Sequence, residues 1–545
     1  MSNLSLSLSF SDWTIFIVVL GLSITYGLYM SYKKKASQNS SNFFLGGRNM
    51  SWPIIGASIF ATNIGAEHLV GLSGDSYRYG LSAGHVEILT VIPMGIAIAM
   101  LFPYYMKNKV FTVPEFLELR FTKSARTFFS VFMLILSIMA KLAFTIFAGA
   151  LVMKSLLGWD IMATVICIAF IVAIFTIIGG YTAVAYTGTI QVVIMIIAGL
   201  IMVTVGLVKV GGWSELVANA GDMLHVAKPF DNADYPFWGI LATGFYAGVF
   251  YWGIDQVNTQ RVLAAPDLKT ARNGAMFAIF LKLLPVFIFA MPGVIALALY
   301  NQGDASYLLQ GEESKQTFVL LLNKLLPTGL RGLVLASLLA ALISSLIAVF
   351  NSISTLVVRD FVVKYKPNLS EKGQVNAGRY MILIAAVLGI GAAYLVYKNE
   401  EGLYKYLQAI TAYLVLPVFP AIFFGIVSKR VTAKGAGISV LVGALLSTVF
   451  VIDQILGPET GSQIFPFLHQ PLTLNFGYRG LWAEIIITIV LFAVSAFTEK
   501  TAPEKLATTT LNFKGGIAKF EGLKDWRFHL VALTVLTVLI YMWLW

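Results

Sequence analysis

Cysteine and charged residues are scarce in this chain. Its 545 residues include one cysteine, Cys167, and only 12% are charged, against about 25% in an average soluble domain. One cysteine excludes a disulfide framework or a thiolate metal cluster. The low charge excludes disordered, coiled-coil and nucleic-acid-binding proteins. Hydrophobic residues make up 58% of the chain and the mean hydropathy is +0.80, which together indicate a polytopic membrane protein.

Long apolar runs recur along the whole chain. A membrane-spanning helix needs about 20 consecutive apolar residues, because the hydrocarbon core of a bilayer is about 30 Å thick. By this measure the sequence predicts an all-α protein with about fourteen transmembrane helices. They are expected near residues 10–32, 52–74, 80–106, 127–152, 160–180, 183–208, 236–257, 273–300, 329–358, 378–397, 404–427, 433–456, 481–498 and 526–544.

Basic residues collect in alternate predicted loops. Lys33, Lys34 and Lys35 directly follow the first span, whose leading stretch has no basic residue, and a cleaved signal peptide has the reverse order. Because cytoplasmic loops are enriched in lysine and arginine, we expect both termini on the extracellular or periplasmic side of the plasma membrane. The net charge of +11 then reflects orientation rather than a nucleic-acid partner. The other basic loops are 107–126, 261–272, 359–372, 429–434 and 500–524.

Two predicted spans contain residues that interrupt an apolar helix. The second span contains the polar stretch 61–68, and the seventh contains Gly244 and Gly248 shortly before Tyr251. Unwound backbone within a membrane is tolerated where it lines a cavity or is buried in protein. Paired interruptions in two halves of a chain are typical of a transporter's central site. Hydropathy and spacing therefore predict two five-span blocks, roughly 52–208 and 236–427.

Several charged side chains fall deep within predicted spans. Their depth in apolar sequence favours a functional site for Glu87 and Lys282, although a structural ion pair is the simpler alternative. For Glu67 and Lys141 the sequence favours a site role and a structural role equally, the structural role being a cap, an ion pair or a side chain that reaches the interface. Ser344 and Ser345, within another span, either bond to the carbonyl of the preceding turn or complete an oxygen shell for a monovalent cation.

The residue patterns do not support an enzyme. Residues 80–84 match the G-x-S-x-G nucleophile pattern, but that pattern requires a strand, a turn and a helix with acid and histidine partners later in the chain. Here it opens a membrane helix. Metal-ligand clusters, phosphate loops and kinase signatures are also lacking in the sequence.

Short motifs occur in a fixed order from about residue 40 to 450. They are 59–68, 113–121, 251–256 with Gln260 and Arg261, Ser344-Ser345 with Asn351-Ser352, and 425–436. In this order they resemble the motifs of the sodium/solute symporter family. The resemblance is greatest to its branch of sodium/glucose and sodium/galactose cotransporters, because Gln408 lies in a segment, 406–414, similar to the sugar-binding glutamine segment of that branch.

The resemblance implies the site residues of a sodium-coupled hexose transporter working by alternating access. The residues implied to hydrogen-bond the sugar are Asn63, His68, Glu87, Lys282 and Gln408, with Tyr251 as the inner gate and Trp252 beside it. Co-transported sodium is implied to bind the carbonyls of Ala61, Ile64 and Ala341 and the hydroxyls of Ser344 and Ser345.

The implied fold is the inverted five-helix repeat of the leucine transporter, with the first helix of each repeat discontinuous. Residues 1–45 would hold the extracellular N-terminus, a leading helix and a basic loop. Residues 46–210 and 211–430 would form the two repeats, and 431–545 the trailing accessory helices. The partners implied are a small sugar, Na⁺ and the lipid bilayer.

Three positions depart from the family pattern. Gly248 stands where the sugar branch has Asn or Thr, so one sugar contact would be missing or replaced by water. Val86 stands where an outer aromatic lid is usual, which Tyr404 would have to replace. Gly188 stands in place of an aspartate near a second cation position, and the nearby Ile347 and Ala348 lack hydroxyls. We therefore expect one sodium ion per substrate.

Other functions stay open at this stage. A pyranose presents many hydroxyls, which fits a pocket of Glu, Gln, Asn, His and Lys around an aromatic ring, and myo-inositol fits the same chemistry. Sialic acid would need an arginine or several free hydrogen-bond donors for its carboxylate. The sequence suggests no intramembrane arginine, and Glu87 would repel the carboxylate. From a different class, a transporter-like sensor or a channel would use the same bundle without coupled transport.

Overall fold

A computed structural model describes residues 8–36, 38–65, 67–232, 234–309, 311–397, 411–470, 473, 475–511 and 520–544. The described part of the chain is helical, and its extended pairing is confined to one isolated bridge between Lys228 and Pro236. The main helices are α1 (Phe10–Lys33), α2 (Trp52–Asn63), α3 (His68–Lys107), α4 (Lys123–Lys154), α5 (Ile161–Val210), α6 (Phe237–Gly253), α7 (Gln256–Leu263), α8 (Leu268–Asn301), α9 (Leu330–Tyr365), α10 (Glu371–Tyr397), α11 (Phe419–Val427), α12 (Ala433–Ile464), α13 (Phe476–Ala496) and α14 (Trp526–Trp543). Shorter helices are Ser40–Leu45, Val113–Arg120, Trp213–Ala220, Thr317–Leu325 and Pro503–Thr509.

Short polar side chains begin many of these helices. The Ser9 hydroxyl accepts a bond from the Asp12 backbone N–H and the Asp12 carboxylate accepts one from the Ser9 N–H, which is a capping box at the start of α1. Thr122 caps α4 and Asp267 caps α8 in the simpler one-way form. These caps satisfy backbone donors that a helix cannot satisfy by itself.

Ten described helices are long and apolar enough to cross a membrane, and α6 with α7 makes an eleventh if that bent pair is one span. The difference from the predicted fourteen lies partly in α5. At 50 residues α5 is about 75 Å long, more than twice the thickness of the hydrocarbon core, and it turns at Gly180, where φ is +54°. The sequence divides this segment into two spans at the same place. The count of fourteen, the inverted repeat, the domain limits and the extracellular termini stay predictions.

The first predicted interruption is confirmed. Helix α2 ends at Asn63, and Ile64 has extended backbone angles of φ −83° and ψ 108°. Helical structure resumes at Glu67 with a wide π-helical turn, Glu67–Gly71, that forms the beginning of α3. The carbonyls of the last turn of α2 are therefore left without the N–H donors that a continuous helix would supply.

The second interruption exists, but its predicted position at Gly244 and Gly248 is wrong. Helix α6 runs unbroken through both glycines to Gly253, and the chain turns by 50° at Ile254 and Asp255 before α7 begins. The two glycines serve close packing instead. A Cβ atom on Gly248 would lie 2.9 Å from Cγ of Pro93 in α3.

The centre of the molecule is built from α2, α8 and α9. Helix α2 packs on α8, α5 and α9, and α9 packs on α5, α1 and α10. Most of α8 and α9 is buried, whereas α1, α12, α13 and α14 expose many large apolar side chains, as expected of helices that face lipid. Two segments of the central helices, the end of α2 and the middle of α9, therefore meet away from the surface.

Arg120 joins the short helix Val113–Arg120 to the end of α11. Its guanidinium is fully buried and donates from Nε to the carbonyl of Gly425 at 2.6 Å and from Nη2 to the carbonyl of Val431 at 2.8 Å. Burial lowers the pKa of Arg120 to about 10, so the side chain stays charged at neutral pH. A cation at the carboxyl end of α11 is favourable because that end of a helix carries partial negative charge.

Candidate functional site

One buried lysine connects the two halves of the predicted substrate site. Lys282, near the middle of α8, donates from Nζ both to Oδ1 of Asn63, the last residue of α2, and to Oε2 of Glu87 on α3. Lys282 is 1% exposed and Glu87 4% exposed, so the charges neutralise each other away from water. Three side chains from three helices, all predicted to contact the substrate, thus meet at one point.

His68 completes this network from the far side of the interrupted segment. Its Nε2 lies 3.3 Å from Oε1 of Glu87, and its Nδ1 accepts a hydrogen bond from the backbone N–H of Gly65 at 3.3 Å. Because Nδ1 accepts, the proton of the neutral ring is on Nε2, facing the carboxylate. The unwound backbone is thereby fixed to the same carboxylate that Lys282 holds.

Two aromatic side chains from the end of α6 cover the network. Nδ2 of Asn63 donates to the hydroxyl of Tyr251 at 3.0 Å. The rings of Tyr251 and Trp252 are 4.9 Å apart and perpendicular, and Nζ of Lys282 lies 5.7 Å from the centre of the Trp252 ring. Mixed hydrogen-bonding groups and aromatic faces therefore occur side by side, as predicted from the motifs.

Beneath Tyr251 the structure resolves the alternatives for Lys141. Its ammonium pairs with the carboxylate of Asp255 in the turn between α6 and α7, and lies 5.2 Å from the centre of the Tyr251 ring. Asn258 donates to the Tyr251 carbonyl at 3.0 Å and to the Asp255 carboxylate at 3.3 Å. Lys141 is thus a paired group. Asp255 and Asn258 were not among the predicted site residues, although an acid directly after the apolar run of α6 is a signal for the turn.

Ser344 faces the end of α2, as the sodium prediction requires. Its hydroxyl lies 2.9 Å from the carbonyl oxygen of Ala61, 3.0 Å from that of Ala340 and 2.9 Å from that of Ala341. A serine that merely satisfied its own helix would contact only the last two. The contact with Ala61 across helices brings three predicted sodium ligands together.

Ser345 faces the same segment one residue further on. Its hydroxyl lies 3.1 Å from the carbonyl oxygen of Thr62 and 3.3 Å from that of Ile64. The carbonyl of Thr62 belongs to the cluster, although it was not among the predicted ligands. Hydroxyl and unwound carbonyl oxygens, all uncharged, are the groups that hold Na⁺ at broken helices, so the residues fit a sodium ion.

The remaining site predictions differ in how far the structure describes them. Gln408 and Tyr404 lie outside the described residues, and so does the side chain of Glu67. Val86 is half-buried and packs against the core. The position of Gly248 has no room for the Asn or Thr of the sugar branch, because Pro93 occupies the adjacent space.

The Ser344 and Ser345 hydroxyls and the carbonyl oxygens that face them are called the sodium cluster below. Gly188 lies directly against it. A Cβ atom there would be 3.2 Å from Cβ of Ala61, so α5 and α2 approach closely at this point. Ile347 and Ala348, on the neighbouring part of α9, are completely buried. None of these three side chains can offer an oxygen to a second cation.

An arginine lies buried close to the end of α2. Arg261 of α7 is completely buried, and its guanidinium donates to the hydroxyl of Thr62 at 3.2 Å and to the carbonyl of Val257 at 2.7 Å. It also lies 5.5 Å from the centre of the Tyr181 ring. Hydropathy did not indicate this residue, because α7 is too short and too polar to be an apolar span by itself.

Comparison with known proteins relates this geometry to a family. The chain matches the model of the sodium:solute symporter family over residues 43–443. It is 31% identical to Sodium/glucose cotransporter 1 of Ovis aries, over 90% of this chain and 79% of that protein. It is 30% identical to the Sodium/myo-inositol cotransporter of Homo sapiens, over 92% and 75%, and to the Sodium/glucose cotransporter of Vibrio parahaemolyticus, over 99% and 98%.

A solved structure of a Na⁺-coupled sialic acid symporter, in a substrate-bound outward-open state, has the same fold. Its TM-score is 0.74 at 20% identity, and the match covers 91% of this chain and 99% of that one. Together, the match to the family model over most of the chain and the relatives at about 30% identity leave no ambiguity about descent. The chain belongs to the sodium:solute symporter family and is a multi-pass membrane transporter for sodium-coupled solute symport.

Proposed function

We propose that this symporter takes up a neutral hexose, such as glucose or galactose, together with sodium across the plasma membrane. The observation that carries the proposal is the buried contact of Lys282 with both Asn63 and Glu87, beside the rings of Tyr251 and Trp252. A pyranose has hydroxyl groups that both donate and accept. Its ring also has apolar faces that pack on aromatic side chains.

The electrostatics of the pocket favour an uncharged solute. The carboxylate of Glu87 and the ammonium of Lys282 neutralise each other, and His68 contacts the same carboxylate. An anionic solute would have to compete with Glu87 for Lys282 in a region of low dielectric. A neutral polyol can instead insert hydroxyls among these groups, and analogues without the hydroxyls would leave buried polar groups unpaired.

Coupling of sodium binding to sugar binding follows from the position of Asn63 beside the sodium cluster. The carbonyls of Ala61 and Ile64, which face Ser344 and Ser345, flank Asn63 in the chain. A sodium ion bound there would order the end of α2 and thereby fix the Asn63 side chain that receives the sugar. By linkage, sodium must tighten sugar binding by the same factor as sugar tightens sodium binding.

Myo-inositol is the second candidate. It is a neutral ring with a hydroxyl on every carbon, and it would use the same donors and acceptors as a hexose. The Homo sapiens relative named as a sodium/myo-inositol cotransporter is about as similar to this chain as the relatives named as glucose cotransporters.

Uptake into proteoliposomes tests the proposal. Labelled D-glucose, D-galactose, myo-inositol and sialic acid are offered with and without an inward sodium gradient, and empty vesicles serve as controls. We expect saturable, sodium-dependent uptake of a hexose, and little uptake of sialic acid. Preference for myo-inositol would replace the hexose by the second candidate. Flux that does not saturate would indicate a channel, and an absence of sodium-dependent uptake of all four solutes would contradict the proposal.

A further inference from the structure

A second buried acid lies far from the substrate network, among the trailing helices. Glu484 is near the middle of the 21-residue helix α13 and is 7% exposed. Helix α13 packs against α12, α6 and α11. Glu484 was not among the predicted site residues, because it lies beside the aromatic end of an otherwise ordinary apolar span.

Neither carboxyl oxygen of Glu484 has a hydrogen-bond partner among the described residues. The basic side chains of this region contact a different acid, Asp453. Nη1 of Arg479 lies 2.6 Å from Oδ2 of Asp453, and Nε2 of His469 lies 3.0 Å from Oδ1 of the same aspartate. Asp453 thus pairs with the cation of Arg479, and Glu484 has no ion-pair partner in the described part of the chain.

A neutral tyrosine hydroxyl from α6 lies next to the part of α13 that carries Glu484. The hydroxyl of Tyr246 on α6 lies against Gly480, one helical turn before Glu484, so closely that a Cβ atom there would be 1.9 Å away. The titratable group that interacts with Glu484 is Tyr246, which also interacts with Tyr413. Tyr413 in turn lies near Arg479 and Asp453, and His469 contacts Asp453.

An ionised carboxylate at this depth would be costly, because no cation pairs with it and no hydrogen-bond donor contacts it in the described part of the chain. A carboxylic acid has no net charge, and its O–H can be donated to a tyrosine hydroxyl. We propose that Glu484 is a proton-binding site, which holds its proton at neutral pH and keeps the contact between α13 and α6 uncharged. This inference does not depend on which solute the protein carries.

Protonation of Glu484 ties the stability of the accessory helices to pH. In the unfolded chain this acid ionises above about pH 4, whereas under this proposal the folded protein holds it protonated at neutral pH. The stability that the site contributes should therefore decrease as the pH rises, until the folded protein also loses the proton. Glutamine at this position imitates the protonated acid in shape and charge, so Glu484→Gln should remove this pH dependence without preventing folding.

Infrared spectroscopy of the purified full-length protein in lipid nanodiscs tests the protonation directly. We expect wild type at neutral pH to show the carbonyl stretch of a protonated carboxylic acid, and Glu484→Gln to lose that part of the band. Glu459→Gln, which changes an exposed carboxylate on α12, should leave the band intact. Equal bands in wild type and Glu484→Gln would overturn the proposal.

A second variant, Glu484→Asp, keeps the proposal testable if Glu484→Gln fails to fold. Glu484→Asp keeps a carboxyl group, so we expect the band to persist at a shifted frequency. An unshifted band in that variant would assign the signal to another acid and overturn the proposal. In folded Glu484→Gln, the unfolding temperature should fall less from mildly acidic to alkaline pH than in wild type, and an identical fall would count equally against the proton site.

Discussion

The buried pair of Glu87 and Lys282 has two separable roles, stability and recognition. Removing one partner of a buried ion pair leaves an uncompensated charge and costs about 3 to 5 kcal/mol. We therefore expect Lys282→Met to lower the unfolding temperature strongly and to abolish uptake. The double variant Glu87→Gln with Lys282→Met should recover most of the unfolding temperature, because neither charge is left unpaired, but it should not recover uptake.

Lys269 on the same helix provides the matched control. It is 62% exposed and pairs with Glu521 at the surface, where ion pairs contribute little. Lys269→Met should leave both the unfolding temperature and uptake close to wild type. If the double variant transported sugar normally, Glu87 and Lys282 would be structural groups only, and the substrate site would have to lie elsewhere.

Substitution of Ser345 tests whether a single hydroxyl of the sodium cluster contributes to sodium binding. Ser345→Ala removes an oxygen that lies 3.1 Å from the Thr62 carbonyl and 3.3 Å from that of Ile64. A contact with a charged group is worth about 1.5 to 3 kcal/mol, so the sodium concentration for half-maximal uptake should rise by about tenfold or more. Initial uptake rates at graded sodium concentrations measure this shift.

Ser337, two turns earlier in α9, provides the control. Its substitution removes a buried hydroxyl from the same helix without removing an oxygen from the sodium cluster. Ser337 is completely buried and donates to the Val334 carbonyl at 2.7 Å, away from α2. Ser337→Ala should leave the sodium dependence as in wild type. An unchanged sodium dependence in Ser345→Ala would remove this residue from the cation site.

At the scale of helices, the contact of α6 with α3 decides where Tyr251 and Trp252 lie. A methyl group on Gly248 would come within 3.0 Å of two ring atoms of Pro93, and a proline ring cannot rotate away. Overpacking of this kind costs about 1 to 3 kcal/mol and displaces backbone. Gly248→Ala should therefore lower the unfolding temperature and raise the sugar concentration needed for half-maximal uptake.

Gly391→Ala is the control for the effect of alanine in a helix. Gly391 lies in α10 with open space around its Cα, so alanine there should be neutral or slightly stabilising. Uptake kinetics and thermal unfolding of both variants are compared under the same conditions. A Gly248→Ala protein with wild-type affinity for sugar would show that α6 can shift without moving the aromatic side chains.

The two broken helices illustrate what sequence can and cannot predict. The break after Asn63 was predicted correctly, because a polar stretch in the middle of an apolar run is costly in lipid unless it lines a cavity or a protein interior. The break after Gly253 was placed too early, because glycine both ends helices and permits close packing, and only the position of Pro93 distinguishes the two. Hydropathy therefore predicts that a helix is present, whereas the residue at which it ends depends on its tertiary contacts.

Partners distant in sequence were the main gap in predicting the site. The sequence indicated that Lys141 lies deep in a span, but Asp255, its partner, is 114 residues away. Glu484 was missed for the opposite reason, since its significance rests on groups that do not contact it. By contrast, Asn63, Glu87 and Lys282, which were carried over from the motifs, meet in the described structure. A short polar motif within an apolar span indicates both the break in the helix and the polar side chains beside it.

At the scale of the whole molecule, the number of sodium ions bound per solute determines how strongly the solute can be concentrated. At a membrane potential of about 100 mV and equal sodium on both sides, each sodium ion contributes about 2.3 kcal/mol, or about fiftyfold accumulation. Gly188 offers no carboxylate, and Ile347 and Ala348 offer no hydroxyl, for a second ion. We expect one sodium ion per solute and accumulation that levels off near this limit.

Charge and solute movement measured in the same proteoliposomes decide the ratio. One positive charge per sugar is expected, with a reversal potential that follows the sodium and sugar gradients accordingly. Two charges per sugar would allow accumulation of roughly two thousandfold at the same potential. That outcome would require a second ion with oxygen ligands other than Gly188, Ile347 and Ala348, and the close approach of α5 to α2 at Ala61 would then have to open during the cycle.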